Sequence, residues 1–231
     1  DFKAINDALE SNWIAPVGPM IDIFQNNMEK FLGSGYCCAL SSGTASLHLA
    51  IRILNIKRGD IVLCPSLTFA ASANAVCYEN AVPVFIDVDP FDWTADVSCI
   101  EKAIKLYKPK ALITVDLYGQ SCDYDEIVQL CKKYGVFIIQ DSAEALGSKY
   151  KNHNLGNNGD LGIFSFNGNK IITTSGGGML CSENKDFIEK AKFLSTQARE
   201  PYLHYEHKEL GFNYRMSNVL AALGVSQLSK L

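Results

Sequence analysis

Short apolar runs alternate with amphipathic stretches along most of the chain. The runs at 36–40, 61–64, 82–86, 111–115 and 136–140 read as strands, with two more at 162–166 and 178–181. Helical spacing fills the gaps: in 44–54, Leu47, Ala50, Ile51 and Leu54 recur at intervals of three and four and share one face. Segments 69–78, 97–106, 124–134 and 186–194 also read as helices. Asp123 is a natural N-cap for 124–134, and Gly135 sits just past its end. This alternation predicts an α/β fold, a mainly parallel seven-stranded sheet with helices on both faces.

The first 32 residues predict two helices separated by Ile14-Ala15-Pro16-Val17-Gly18-Pro19, a rigid non-helical corner. Residues 33–210 form the expected large domain. Residues 211–231 form a linker and a helix, with no further strand to pair. The chain opens on Asp1 and stops at Leu231 inside a helical pattern, so both ends are expected to be cut.

Composition narrows the function classes. The formal net charge is −4 and no basic run stands out, which disfavours nucleic acid as a partner. The longest apolar runs are too short to span a bilayer, and no signal-peptide pattern opens the chain. None of the eight cysteines forms a C-x-x-C pair, and several sit inside apolar runs. Small buried thiols in a reducing, cytoplasmic setting are expected. No metal site is expected; His204 and His207 lack a third ligand nearby and read as surface or dimer-contact residues.

Three stretches carry candidate chemistry. Ser41-Ser42-Gly43-Thr44-Ala45-Ser46 joins a strand to a helix and would aim free N–H groups at a phosphate, although an ordinary capped turn has the same composition. Gln140-Asp141-Ser142-Ala143-Glu144 places a carboxylate at the carboxyl end of a buried strand, where α/β folds hold ligands. Capping of the next turn explains Asp141 equally well. Phe164-Ser165-Phe166-Asn167-Gly168-Asn169-Lys170 leads to Gly176-Gly177-Gly178. A loop lysine is usually solvated, but apolar, small and hydroxyl-rich neighbours favour a neutral amine able to attack a carbonyl. Arg199 and Arg215 fit either a bound anion or an interface ion pair.

Taken in order, these motifs resemble the DegT-type sugar aminotransferases of the aspartate-aminotransferase superfamily, over essentially the whole chain. Pro65-Ser66-Leu67-Thr68-Phe69, Leu117-Tyr118-Gly119, Asp141-Ser142-Ala143-Glu144-Ala145-Leu146-Gly147 and Gly211-Phe212-Asn213-Tyr214-Arg215 add to the match. Details such as Asn167 to Ser175 and Ser195-Thr196-Gln197-Ala198-Arg199-Glu200 are similar to the branch that makes UDP-4-amino sugars.

The resemblance implies a fold-type I enzyme using pyridoxal 5'-phosphate (PLP). It implies Lys170 as the Schiff-base lysine and proton shuttle, and Asp141 as the carboxylate paired with the pyridine nitrogen. It further implies Phe69 stacked on the cofactor ring, Gly43, Thr44 and Ala45 with Ser165 around the phosphate, and Asn213 reaching that phosphate from a second subunit of a homodimer. Glu144 stands where glutamine is common; it falls within the cofactor site without an assigned role. The implied reaction moves an amino group, from glutamate, to the C4 ketone of a UDP-linked 4-keto-6-deoxy-N-acetylhexosamine. A GDP- or dTDP-linked ketone, or a non-catalytic PLP-binding regulator, is the alternative. A small C-terminal domain is expected after residue 231.

Overall fold

The computed structural model describes residues 1–231. Helices α1 (Phe2–Glu10) and α2 (Pro19–Leu32) precede strand β1 (Tyr36–Leu40) and helix α3 (Gly43–Ile53). Then follow β2 (Ile61–Pro65), α4 (Ala71–Tyr78), β3 (Val82–Ile86), α5 (Val97–Tyr107), β4 (Ala111–Val115) and α6 (Tyr124–Tyr134). The second half holds β5 (Phe137–Asp141), the short hairpin β6 (Lys149–Tyr150) and β7 (His153–Asn154), β8 (Leu161–Ser165), β9 (Gly178–Ser182), α7 (Lys185–Ser195) and α8 (Asn218–Leu228).

Seven strands form one sheet in the order β1-β9-β8-β5-β4-β2-β3. β9 runs antiparallel to both of its neighbours, and the remaining ladders are parallel. Alternate side chains leave each strand on opposite faces. Val62, Cys64, Ile113, Ile139 and Ile163 enter the core cluster that also takes in Leu47 and Ile51 of α3 and Ala75 of α4. Leu63, Leu112 and Ile138 enter another, with Ile100 of α5 and Ile127 of α6. Cys37, Ala39, Met179 and Cys181 meet Phe24 and Met28 of α2 and Ala221 of α8 in a third. Each fully buried large apolar side chain contributes roughly 1.5–3 kcal/mol. Gly224 lets α8 close on Phe24, since a Cβ there would lie 2.7 Å from the ring.

The expected seven strands and helical layers are present, with small shifts. β5 starts at Phe137 because the Val136 N–H bonds back to Cys131 O, closing the end of α6. α4 starts at Ala71, since Phe69 and Ala70 form the turn that leads into it. The β6–β7 hairpin was not expected; Lys149 to Asn154 carries no alternating apolar pattern.

The edge of β1 is covered by side chains as well as backbone. Gln25 and Glu29 of α2 accept the N–H groups of Ala39 and Cys37 at 3.0 and 2.9 Å. The expected corner between α1 and α2 is held by Asn218, which accepts from Met20 N at 2.8 Å and donates to Trp13 O at 2.7 Å. No helix is long and apolar enough to cross a membrane.

Candidate functional site at the carboxyl edge of the sheet

The carboxyl ends of β1, β2, β4, β5 and β8 lie along one edge, and antiparallel β9 begins there. The strand ends at this edge, and the loops and helix leaving it, carry Gly43, Thr44, Ala45, Phe69, Asp141, Glu144, Ser165 and Lys170.

At β1 the chain turns at once into α3. Ser42 caps the helix, its Oγ accepting from Ala45 N at 3.0 Å, while Ser46 N bonds to Ser42 O. The N–H groups of Gly43 and Thr44 are thus left without helical partners at the positive end of the helix dipole. Two glycines make room for this turn. A Cβ on Gly43 would lie 3.0 Å from Ser165 Cβ, and one on Gly178 would lie 2.3 Å from the Ser42 carbonyl carbon. Free N–H groups, the Thr44 hydroxyl and adjacent Ser165 form a donor set suited to a phosphate.

Asp141 ends β5 on the face shared with α4 and is 6% exposed. Its Oδ2 accepts from Ser72 Oγ at 2.9 Å, and its Oδ1 from Ala143 N at 3.2 Å. Since Ser72 donates to Asp141, its contact with Thr68 Oγ1 at 2.9 Å has threonine as donor, giving a two-hydroxyl relay. Burial pushes the Asp141 carboxyl up to about 6, opposed by the Ala143 and Ser72 donors and by the charge of Lys170. A buried carboxylate held by neutral donors is a ready partner for a cationic ring nitrogen.

Lys170 lies in the loop after β8, its backbone N–H on Asn167 O at 3.0 Å. Its side chain is 15% exposed and Nζ is 3.5 Å from Glu144 Oε1. The other oxygen of Glu144 accepts Tyr118 N at 3.0 Å. Tyr118 takes a left-handed conformation, φ 52°, within the 3-10 turn Leu117–Gly119. Phe69, three residues ahead of Ser72, is 72% exposed, so its ring is free to cover a ligand.

Asn213 stands apart. It pairs with Thr196, and its flanking residues Phe212 and Tyr214 both pack on His48, at 4.9 and 5.9 Å between ring centroids. Extended backbone therefore turns the exposed Asn213 to the opposite side, away from α3. Arg215 bonds inward through one nitrogen to Gln25 Oε1 and Cys38 Sγ, and Arg199 stacks on Tyr205 at 4.1 Å. His204 pairs with Glu206, and His207 Nδ1 contacts Gln197 O.

Sequence reasoning missed Ser72, Thr68 and Asp116. Thr68 and Ser72 stand four apart beside the otherwise small and apolar start of α4, a spacing that could have flagged them. Asp116 follows the apolar β4 just as Asp141 follows Ile138-Ile139-Gln140, so the same signal was present twice.

The description of the DegT/DnrJ/EryC1/StrS aminotransferase family matches residues 1–231. The chain belongs to this family. It is 53% identical over 232 residues to "Putative pyridoxal phosphate-dependent aminotransferase EpsN" of Bacillus subtilis (98% of this chain, 60% of that protein). It is 42% identical over 226 residues to GDP-perosamine synthase of Escherichia coli O157:H7 (98% and 62%). It is 40% identical over 235 residues to the UDP-4-amino-4,6-dideoxy-N-acetyl-beta-L-altrosamine transaminase of Campylobacter jejuni (100% and 62%). The solved structure of Helicobacter pylori PseC, an aminotransferase involved in the biosynthesis of pseudoaminic acid, superposes with a TM-score of 0.93 at 30% identity (99% and 62%). The fold is thus that of fold-type I PLP aminotransferases. The chain spans about three-fifths of the length of these relatives.

Proposed function

We propose that this family member is a PLP-dependent aminotransferase that moves an amino group from glutamate to the C4 ketone of a UDP-linked 4-keto-6-deoxy-N-acetylhexosamine. The observation that carries this reading is the convergence, on one edge of the sheet, of the α3 donor turn, buried Asp141 and Lys170. PLP would supply an electron sink for the carbon that loses its proton. Lys170 would bond the cofactor's carbonyl and afterwards carry that proton. Asp141 would keep the ring nitrogen protonated, Phe69 would cover the ring, and Gly43, Thr44 and Ser165 would hold the phosphate, the Ala45 N–H being taken by Ser42 Oγ. Glu144 belongs to the same site through its contact with Lys170.

Asn213, turned away from its own α3, supports a homodimer in which it reaches the partner's phosphate site. Eight unpaired cysteines support a reducing, cytoplasmic setting. The greater length of the relatives supports a small domain following the 211–231 linker and helix.

The UDP-sugar transaminase at 40% identity supports a UDP-linked substrate. The GDP-perosamine synthase at 42% supports a second reading, a GDP-linked keto sugar. The test is absorbance with PLP before and after borohydride, followed by glutamate and then by UDP-, GDP- and dTDP-linked 4-keto sugars. A visible band that glutamate bleaches and a UDP-linked ketone restores supports the proposal. A band that glutamate leaves unchanged sinks the enzyme in favour of a PLP-binding regulator, and restoration by the GDP-linked ketone alone moves the assignment to the second reading.

A further inference from the structure

Asp116 follows β4 and is 0% exposed. It lies on the α5–α6 face, opposite Asp141, and no cation pairs with it. Four donors hold it instead. Tyr124 OH at 2.7 Å and Cys122 N at 3.4 Å reach Oδ1; Gln140 Nε2 at 2.8 Å and Ser142 Oγ at 2.6 Å reach Oδ2. Thr114 Oγ1 lies 3.1 Å from Tyr124 OH and completes that hydroxyl's partners.

Gln140 and Ser142 are the two residues that flank Asp141 in the chain. We propose that Asp116 is a positioning residue for Asp141, gripping from the far face of the sheet both of its sequence neighbours. The inference rests on the functional reading above, in which Asp141 meets the cofactor nitrogen. Three features give it weight. The grip falls on a single oxygen, so the two neighbours are fixed relative to one another. Asp116 N also bonds to Asp141 O at 3.0 Å, extending the β4–β5 ladder past the last strand pair and pinning the peptide between them. Gln140 Oε1 in turn accepts Asn158 N at 2.8 Å, so the grip is braced by the segment leading into β8.

Charge adds a second effect. Burial raises the Asp116 carboxyl above its ordinary range, and the Ser142, Gln140, Tyr124 and Cys122 donors oppose that rise. When ionised, Asp116 places a negative charge behind Asp141 and raises the Asp141 carboxyl. With Ser72 holding Asp141 from the α4 side, the carboxylate is fixed from both faces before any ligand arrives. Such advance placement lowers the cost of binding, because less freedom remains to be lost.

Two variants test this. Ser142→Ala removes one arm of the grip and leaves Asp116 three donors; Asp116→Asn removes the charge at nearly constant shape. Ile127→Val trims the same core layer without touching a polar group and serves as the stability control. The readouts are the dissociation constant for PLP and deuterium exchange over residues 141–148 without PLP. Expected is faster exchange and affinity weaker on the order of tenfold for Ser142→Ala and Asp116→Asn, with Ile127→Val lowering Tm but moving neither. If all three lower Tm alike while exchange and affinity stay at wild-type values, Asp116 merely supports the core and the proposal is overturned. Faster exchange in a protein whose wild type takes up no PLP would uphold the grip and overturn the functional reading instead.

Discussion

Glu144 bridges two loops: one oxygen lies 3.5 Å from Lys170 Nζ and the other accepts the N–H of left-handed Tyr118 at 3.0 Å. A non-glycine residue in that conformation costs roughly 1–2 kcal/mol and persists where its surroundings hold it. Glu144→Gln keeps an acceptor for Tyr118 and loses the charge beside Lys170, whereas Glu144→Ala loses both. Exchange at Tyr118 is therefore expected to rise in the alanine variant and stay near wild type in glutamine. Equal exchange in all three would place the cause of the Tyr118 conformation elsewhere.

Lys170→Ala should retain the fold, since the residue lies in a loop and its one charged partner is Glu144. Circular dichroism should match wild type, while borohydride should fix no PLP. Transamination should fall at least about 100-fold. Near-wild-type turnover in this variant removes Lys170 from the chemistry.

Asp141 makes stability depend on pH in a defined direction. Its carboxyl is raised to about 6 by burial, against about 3.9 in an unfolded chain. Between those values the folded state holds a proton that the unfolded state has released, so the PLP-free protein loses stability as pH rises from about 4 to about 6. The loss is on the order of 2–3 kcal/mol. Denaturant midpoints across this range should show the decline in wild type and a flatter profile in Asp141→Asn; parallel profiles contradict the assignment.

Gly178→Ala would press a methyl group on the backbone of the Ser42–Gly43 turn. The cost is expected to be about 1–3 kcal/mol, with PLP affinity falling as the cradle shifts. Thermal melts and PLP titration of the same sample read both effects.

Asn213 and Lys170 variants should complement one another. Mixing Asn213→Ala with Lys170→Ala, each inactive alone, gives hybrid dimers with one site intact. About a quarter of wild-type activity is then expected after random subunit exchange. Activity that stays at baseline after proven exchange would show that Asn213 does not act across the interface.

Much of this was legible in the chain. Five-residue apolar runs such as Ala111–Val115 mark strands because the sheet is buried on both faces, and Asp141 at the end of one such run was visible by position. Ser42 and Gly43 were visible as a strand-to-helix turn. The partnerships were not. Whether Ser72 meets Asp141, 69 residues away, depends on how the start of α4 is set over the carboxyl edge of the sheet, which no local pattern encodes. Asp116 looked like a residue after a strand until the fold brought Gln140 and Ser142 to it. The β6–β7 hairpin, held by two register pairs, had too few residues to show a period.

The insertion of β9 between β1 and β8 has a consequence for how the chain acquires its shape. Cys37 faces Cys181 across that junction, 144 residues later in sequence. At a synthesis rate of about 5–20 residues per second, β1 waits roughly 7–30 seconds for its partner strand. A bare apolar strand left that long invites wrong pairing. α2, emerging just before β1, carries Gln25 and Glu29 to occupy the outward N–H groups of Ala39 and Cys37. The helix can therefore act as a chaperone in cis, guarding one edge of the strand during the wait and leaving the other edge for β9.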